Sequence, residues 1–129
     1  MNVFKINGTN FGIGKMVCEI ECNTIVNLTI RGDKNIGMAL SDDENGAWHN
    51  MPFDPMIFFR SVPFEKNTPL EITDELLDEY DVSFVFDEHN DVYGTLTIND
   101  SHILMNGEVR QHMSDEKRYS IEISINRYS

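Results

Sequence analysis

Tyr119-Ser120-Ile121-Glu122-Ile123-Ser124-Ile125-Asn126 alternates apolar and polar residues without a break. Successive side chains on a strand point to opposite faces, so this stretch reads as a half-buried strand with one wet face. The segments before it carry related signals. Residues 82–86 and 92–98 flank Asp87-Glu88-His89-Asn90-Asp91, which reads as a five-residue hairpin loop. Ile103-Leu104-Met105 and Glu108-Val109-Arg110 flank Asn106-Gly107, the dipeptide preferred in a type I′ turn. Four consecutive strands joined by short turns make an antiparallel meander.

Upstream, residues 3–6 form a short strand closed by the turn Asn7-Gly8-Thr9-Asn10. Residues 15–22 alternate Met16, Cys18, Ile20 and Cys22 with Val17, Glu19 and Glu21. Residues 24–31 are rich in β-branched side chains and read as the next strand. Gly32-Asp33-Lys34-Asn35 turns the chain, and residues 36–40 are placed to pair back. Asp54-Pro55 offers an N-cap followed by proline at the first helical position, which starts a short helix through Ser61 ended by Pro63. The apolar run Met56-Ile57-Phe58-Phe59 fits a buried strand almost as well, and both readings stay open. Thr73 caps one or two helical turns over residues 73–80. There Asp74 and Glu75 suit the positive end of the dipole, and Leu76, Leu77 and Tyr80 face the core. The expected architecture is one mainly β domain over residues 1–129. It is an antiparallel sandwich or small barrel of seven to nine strands with one or two short helical turns.

Charge is the strongest global feature. The 129 residues hold 22 acidic and 10 basic side chains, a formal net charge of −12. No Lys or Arg occurs between Lys66 and Arg110. That interval contains Glu71, Asp74, Glu75, Asp78, Glu79, Asp81, Asp87, Glu88, Asp91, Asp100 and Glu108. Asp42-Asp43-Glu44 adds a second cluster beside Trp48, the only tryptophan. Such a field repels nucleic acid and anionic lipid and attracts a basic protein, speeding its encounter. An acidic surface also keeps a protein soluble, although solubility does not require so one-sided a distribution.

Motifs for chemistry are weak. Gly12-Ile13-Gly14-Lys15 lacks the earlier glycine of a phosphate loop, where Thr9 stands, and the hydroxyl after the lysine, where Met16 stands. A glycine turn between strands explains the same residues. Asp42-Asp43-Glu44-Asn45-Gly46 would place Pro52 where a calcium loop needs its bidentate glutamate. His49, His89, His102 and His112 have no zinc-like spacing, although His102 and His112 would face each other across an Asn106-Gly107 hairpin. No catalytic residue, metal or cofactor is expected. Cys18 and Cys22 on one strand would lie about 13 Å apart at roughly 3.3 Å per residue, too far for a disulfide. With no leader and no membrane-length apolar run, the expected compartment is the cytoplasm.

In size, charge and lack of catalytic motif, the chain is similar to small acidic immunity proteins of bacterial toxin–immunity pairs. The resemblance is one of class, and no motif carries it. It implies a non-catalytic inhibitor that neutralises a basic toxin, typically a nuclease, whose cleft is positive because its substrate is a polyanion. The expected partner-binding residues are Asp42, Asp43, Glu44, Trp48, Asp74, Glu75, Asp78, Glu79, Asp87, Glu88 and Asp91. The alternative is a small-molecule or carbohydrate-binding β module with Phe53, Phe58, Phe59 and Phe64 lining a concavity. Long edge strands leave a homodimer open.

Overall fold

The computed structural model describes residues 2–33, 55–85, 89–110 and 118–127. Among them are ten strands and one short helix. In chain order these are β1 (Val3–Ile6), β2 (Thr9–Asn10), β3 (Lys15–Glu21), β4 (Thr24–Arg31), β5 (Met56–Pro63), β6 (Leu70–Ile72), α1 (Asp74–Glu79), β7 (Asp81–Val85), β8 (His89–Ile98), β9 (His102–Arg110) and β10 (Arg118–Asn126). All pairings are antiparallel, and the order runs β2-β1-β10-β9-β8-β7-β5-β4-β3, with β6 pairing to β8. This is the expected antiparallel β-sandwich; the described strands do not close into a barrel.

β8 joins the two sheets. His89 and Asn90 pair with β7, whereas Asp91 to Ile98 pair with β9. β7 to β10 therefore form an antiparallel meander, with 103–105 and 108–110 merged into the single strand β9 rather than the two expected. The amino-terminal strand β1 closes it by pairing with β10, from Val3 opposite Ser124 to Ile6 opposite Ile121.

The core lies between the sheets. Ile121, Ile123 and Ile125 of β10 are buried, while Ser120 and Glu122 are exposed, as alternation requires. Phe4 of one sheet meets Phe84 of the other edge-to-face, with ring centroids 6.1 Å apart at 85°. That geometry puts a positive ring edge on a negative ring face. Phe59 and Phe11 are also fully buried.

Several expectations need correction. Asn106-Gly107 is not a turn. It lies within the continuous strand β9, opposite Thr95 and Gly94. Glycine is required there because the strands approach closely: a Cβ on Gly107 would sit 1.9 Å from the Tyr93 carbonyl oxygen. The two-residue turns are elsewhere. Asn7 and Gly8 (φ 50° and 82°) join β1 to β2, and Cys22 and Asn23 (φ 50° and 57°) join β3 to β4. Positive φ at both central positions is the type I′ signature, whose twist matches the flanking strands. Cys22 is thus an exposed turn residue rather than a strand residue; Cys18 is half-buried, and both thiols are free.

The β7–β8 connection is shorter than the five-residue loop 87–91, because Val85 already pairs with His89. The open choice between helix and strand resolves to strand over Met56–Pro63. β5 is held on both sides by β4 and β7, and this pairing outweighs the local helix-start signal of Asp54-Pro55. His102 stands opposite Asn126, so no hairpin brings it to His112. His112, the pairing strand expected at 36–40 and the loop around residues 41–54 lie outside the described residues.

Candidate functional site

The acidic region forms around α1, which packs against β7 and is bonded to β8 through Tyr93. Thr73 is in extended conformation, and its hydroxyl oxygen accepts from the Leu76 amide at 3.3 Å, so α1 starts where the sequence places its cap. Leu76, Leu77 and Tyr80 pack against the core. That attachment leaves Asp74, Glu75, Asp78 and Glu79 exposed. Asp74 and Glu75 lie in the first turn, where the helix dipole favours them; Asp78 and Glu79 sit near the other end, where it does not.

Tyr93 ties the helix to the sheet. Its hydroxyl donates to Asp74 Oδ1 at 2.5 Å. The Arg110 guanidinium lies over its ring, 4.2 Å from the centroid. Arg110 in turn holds Glu108 through two donors, Nε at 2.8 Å and Nη2 at 2.7 Å to the same Oε1. Asp91 stands opposite Arg110 in the β8–β9 ladder, and Thr95 donates to Glu71 at 3.3 Å. The Tyr93 hydroxyl is pushed up to about 12. Desolvation contributes most, followed by the hydrogen bond to Asp74 and the negative charges of Asp91 and Asp74. Glu108 makes the Arg110 guanidinium hold its proton more tightly still.

The fold thus gathers five of the expected contact residues, Asp74, Glu75, Asp78, Glu79 and Asp91, around one corner of the sandwich. Asp42, Asp43, Glu44, Trp48, Asp87 and Glu88 lie outside the described residues. Tyr93, Arg110, Glu108 and Glu71 belong to this surface and were not among the expected residues. The ion pairs among the described residues are Arg60–Asp81 at 3.8 Å, Lys66–Asp100 and Arg110–Glu108. None of them engages a carboxylate of α1.

Other chemistry finds less support in the geometry. Among the described residues, no group of three or more His, Cys, Asp or Glu converges as a metal site, and no helix is long and apolar enough to cross a membrane. Of the four phenylalanines expected to line a concavity, Phe59 and Phe64 belong to the core and Phe58 is 4% exposed under the Arg60 guanidinium. Phe53 lies outside the described residues. Open clefts lie along the described residues. One of about 550 Å³ lies along Asn23, Pro63, Phe64 and Leu70. Another, of about 410 Å³, lies between β3 and Lys66, Asp100 and Arg127. Compared with protein-family models, curated proteins and solved structures, the chain gives no match.

Proposed function

We propose that this protein is a non-catalytic binding protein whose acidic corner takes a basic protein, and that the partner is a toxin domain, most simply a nuclease, which it neutralises. The observation that carries the reading is the set of exposed carboxylates on α1, Asp74, Glu75, Asp78 and Glu79, without ion-pair partners among the described residues, beside Asp91 and Glu108. A helix built only for stability would place cations, not Asp78 and Glu79, in its last turn. Tyr93 and Arg110 add the side-chain types that dominate interface energies. A row of carboxylates with an aromatic anchor suits a cleft shaped for phosphates, since each carboxylate replaces one phosphate charge.

The test is titration of the purified chain against the basic toxin domain encoded in the adjacent reading frame. The expected outcome is fast, salt-sensitive association and loss of toxin activity. Binding that is absent, or unchanged when Glu75, Asp78 and Glu79 are neutralised together, would overturn the reading. The runner-up is a small-molecule or carbohydrate site in the cleft beside Phe64. A metabolite that raises the melting temperature, with the gain lost on blocking that cleft, would favour it.

A further inference from the structure

β3 is the terminal strand of its sheet: it pairs with β4 on one side, and no described strand pairs with it on the other. The two-residue turn Cys22-Asn23 makes Glu21 and Thr24 the closing pair of the hairpin, which exchanges backbone hydrogen bonds. Alternation along β3 then directs the backbone N–H and C=O groups of Lys15, Val17, Glu19 and Glu21 toward β4. Those of Met16, Cys18 and Ile20 point outward. β2, the other end of the sheet path, has only two residues, and the Asn10 side chain accepts from the Phe4 and Gly12 amides beside it.

The sequence of β3, Lys15-Met16-Val17-Cys18-Glu19-Ile20-Glu21, is complementary to itself when reversed about Cys18. Lys15 then faces Glu21 of a second copy, Met16 faces Ile20, and the two Cys18 residues face each other. Met16–Ile20 and Cys18–Cys18 are the pairs whose backbone groups point outward, so each of these exchanges both of its hydrogen bonds, while Lys15–Glu21 and Val17–Glu19 are the non-hydrogen-bonded pairs between them. Lys15 and Glu21 lie on the outer face of the sheet, exposed, while Met16, Cys18 and Ile20 pack against the core. Centring the pairing on Glu19 would instead oppose two carboxylates, which is unfavourable.

We propose that β3 is the interface of a two-fold symmetric homodimer in which the sheet continues from one copy to the next, in the register centred on Cys18. The surface is distinct from α1, so the dimer stands or falls independently of the basic partner.

Sedimentation velocity over a dilution series, on the full chain alone, tests it. The wild-type chain is expected to double its mass reversibly. Lys15→Glu and Glu21→Lys are each expected to be monomeric, and the double variant to regain the dimer, because the swap restores both cross-strand pairs. Cys18→Pro removes an outward N–H without touching a bond to β4 and is expected to be monomeric with an unchanged circular-dichroism spectrum. Cross-linking gives a readout that does not depend on those variants folding. Directly opposed residues in a hydrogen-bonded pair have Cα atoms about 5.5 Å apart, within the disulfide range. In a Cys22→Ser background, diamide takes two electrons and two protons from the paired thiols and is expected to yield a covalent Cys18–Cys18 dimer. A chain that stays monomeric at every concentration overturns the proposal. So does a dimer indifferent to the charge changes and resistant to cross-linking.

Discussion

Alanine at Gly107 is expected to be among the most destabilising small substitutions in the protein. Its Cβ would lie 1.9 Å from the Tyr93 carbonyl oxygen and 2.9 Å from the Gly94 Cα. These are backbone atoms of the neighbouring strand, so no rotamer change relieves the contact. The reciprocal change, Gly94→Ala, places a Cβ 2.2 Å from the Asn106 carbonyl oxygen, at a residue whose φ of 146° disfavours a side chain. Ordinary overpacking costs about 1–3 kcal/mol. Here the strands must separate by roughly 1 Å in the middle of the β8–β9 ladder, so the upper end applies, about 3 kcal/mol for each change. For a domain of this size that lowers the melting temperature by roughly 10 °C. Asn106→Ala, at an exposed position on the opposite face, is expected to cost less than about 0.5 kcal/mol. Urea unfolding followed by circular dichroism measures all three. Were Asn106-Gly107 a hairpin turn, Gly94 would have no close partner and Gly94→Ala would be mild. A loss below about 1 kcal/mol for Gly94→Ala refutes the β8–β9 register.

Further outcomes follow from the acidic corner. Thr73→Ala removes the hydroxyl that accepts from the Leu76 amide and is expected to cost about 1 kcal/mol, read by the same unfolding experiment. The same change should weaken partner binding, since α1 presents the carboxylates. Because Tyr93 titrates at about 12 when folded and near 10 when unfolded, the native state holds its proton longer. The stability this contributes is full below pH 10 and declines as the pH rises from 10 toward 12. Asp74→Asn should lower the Tyr93 value without fully restoring it, because desolvation is the larger cause; the phenolate absorbance reports it.

Much of the fold is legible in the residues themselves. The alternation of Tyr119, Ile121, Ile123 and Ile125 marks β10, and the β-branched run of residues 24–31 matches β4 at both ends. Thr73 marks the start of α1 because capping is a local interaction. What is not legible depends on partners distant in sequence. Asn106-Gly107 carries a strong turn signal, yet its glycine answers to Gly94 across the ladder. Cys22-Asn23 forms a turn of the same type with residues that rarely advertise one. β5 carries helix-start residues but is held as strand by β4 and β7. β2 and β6, with two and three residues, are too short to leave a pattern, which is why ten strands appear among the described residues where seven to nine were expected for the chain. The acidic face of α1 was visible, because α1 is a contiguous acidic segment. Tyr93 and Arg110 were not, since only the β8–β9 register and the docking of α1 bring them to Asp74.

The most direct test of the central claim is the association rate with a basic toxin domain, measured by stopped flow across ionic strength. The wild-type chain is compared with a variant carrying Glu75→Gln, Asp78→Asn and Glu79→Gln. The wild-type rate is expected to fall steeply with salt, and the variant to lose about tenfold or more at low salt. Neutralising Asp81 and Asp100, which are paired to Arg60 and Lys66, should change the rate far less. Equal rates for the wild type and the α1 variant at low salt would contradict the central claim.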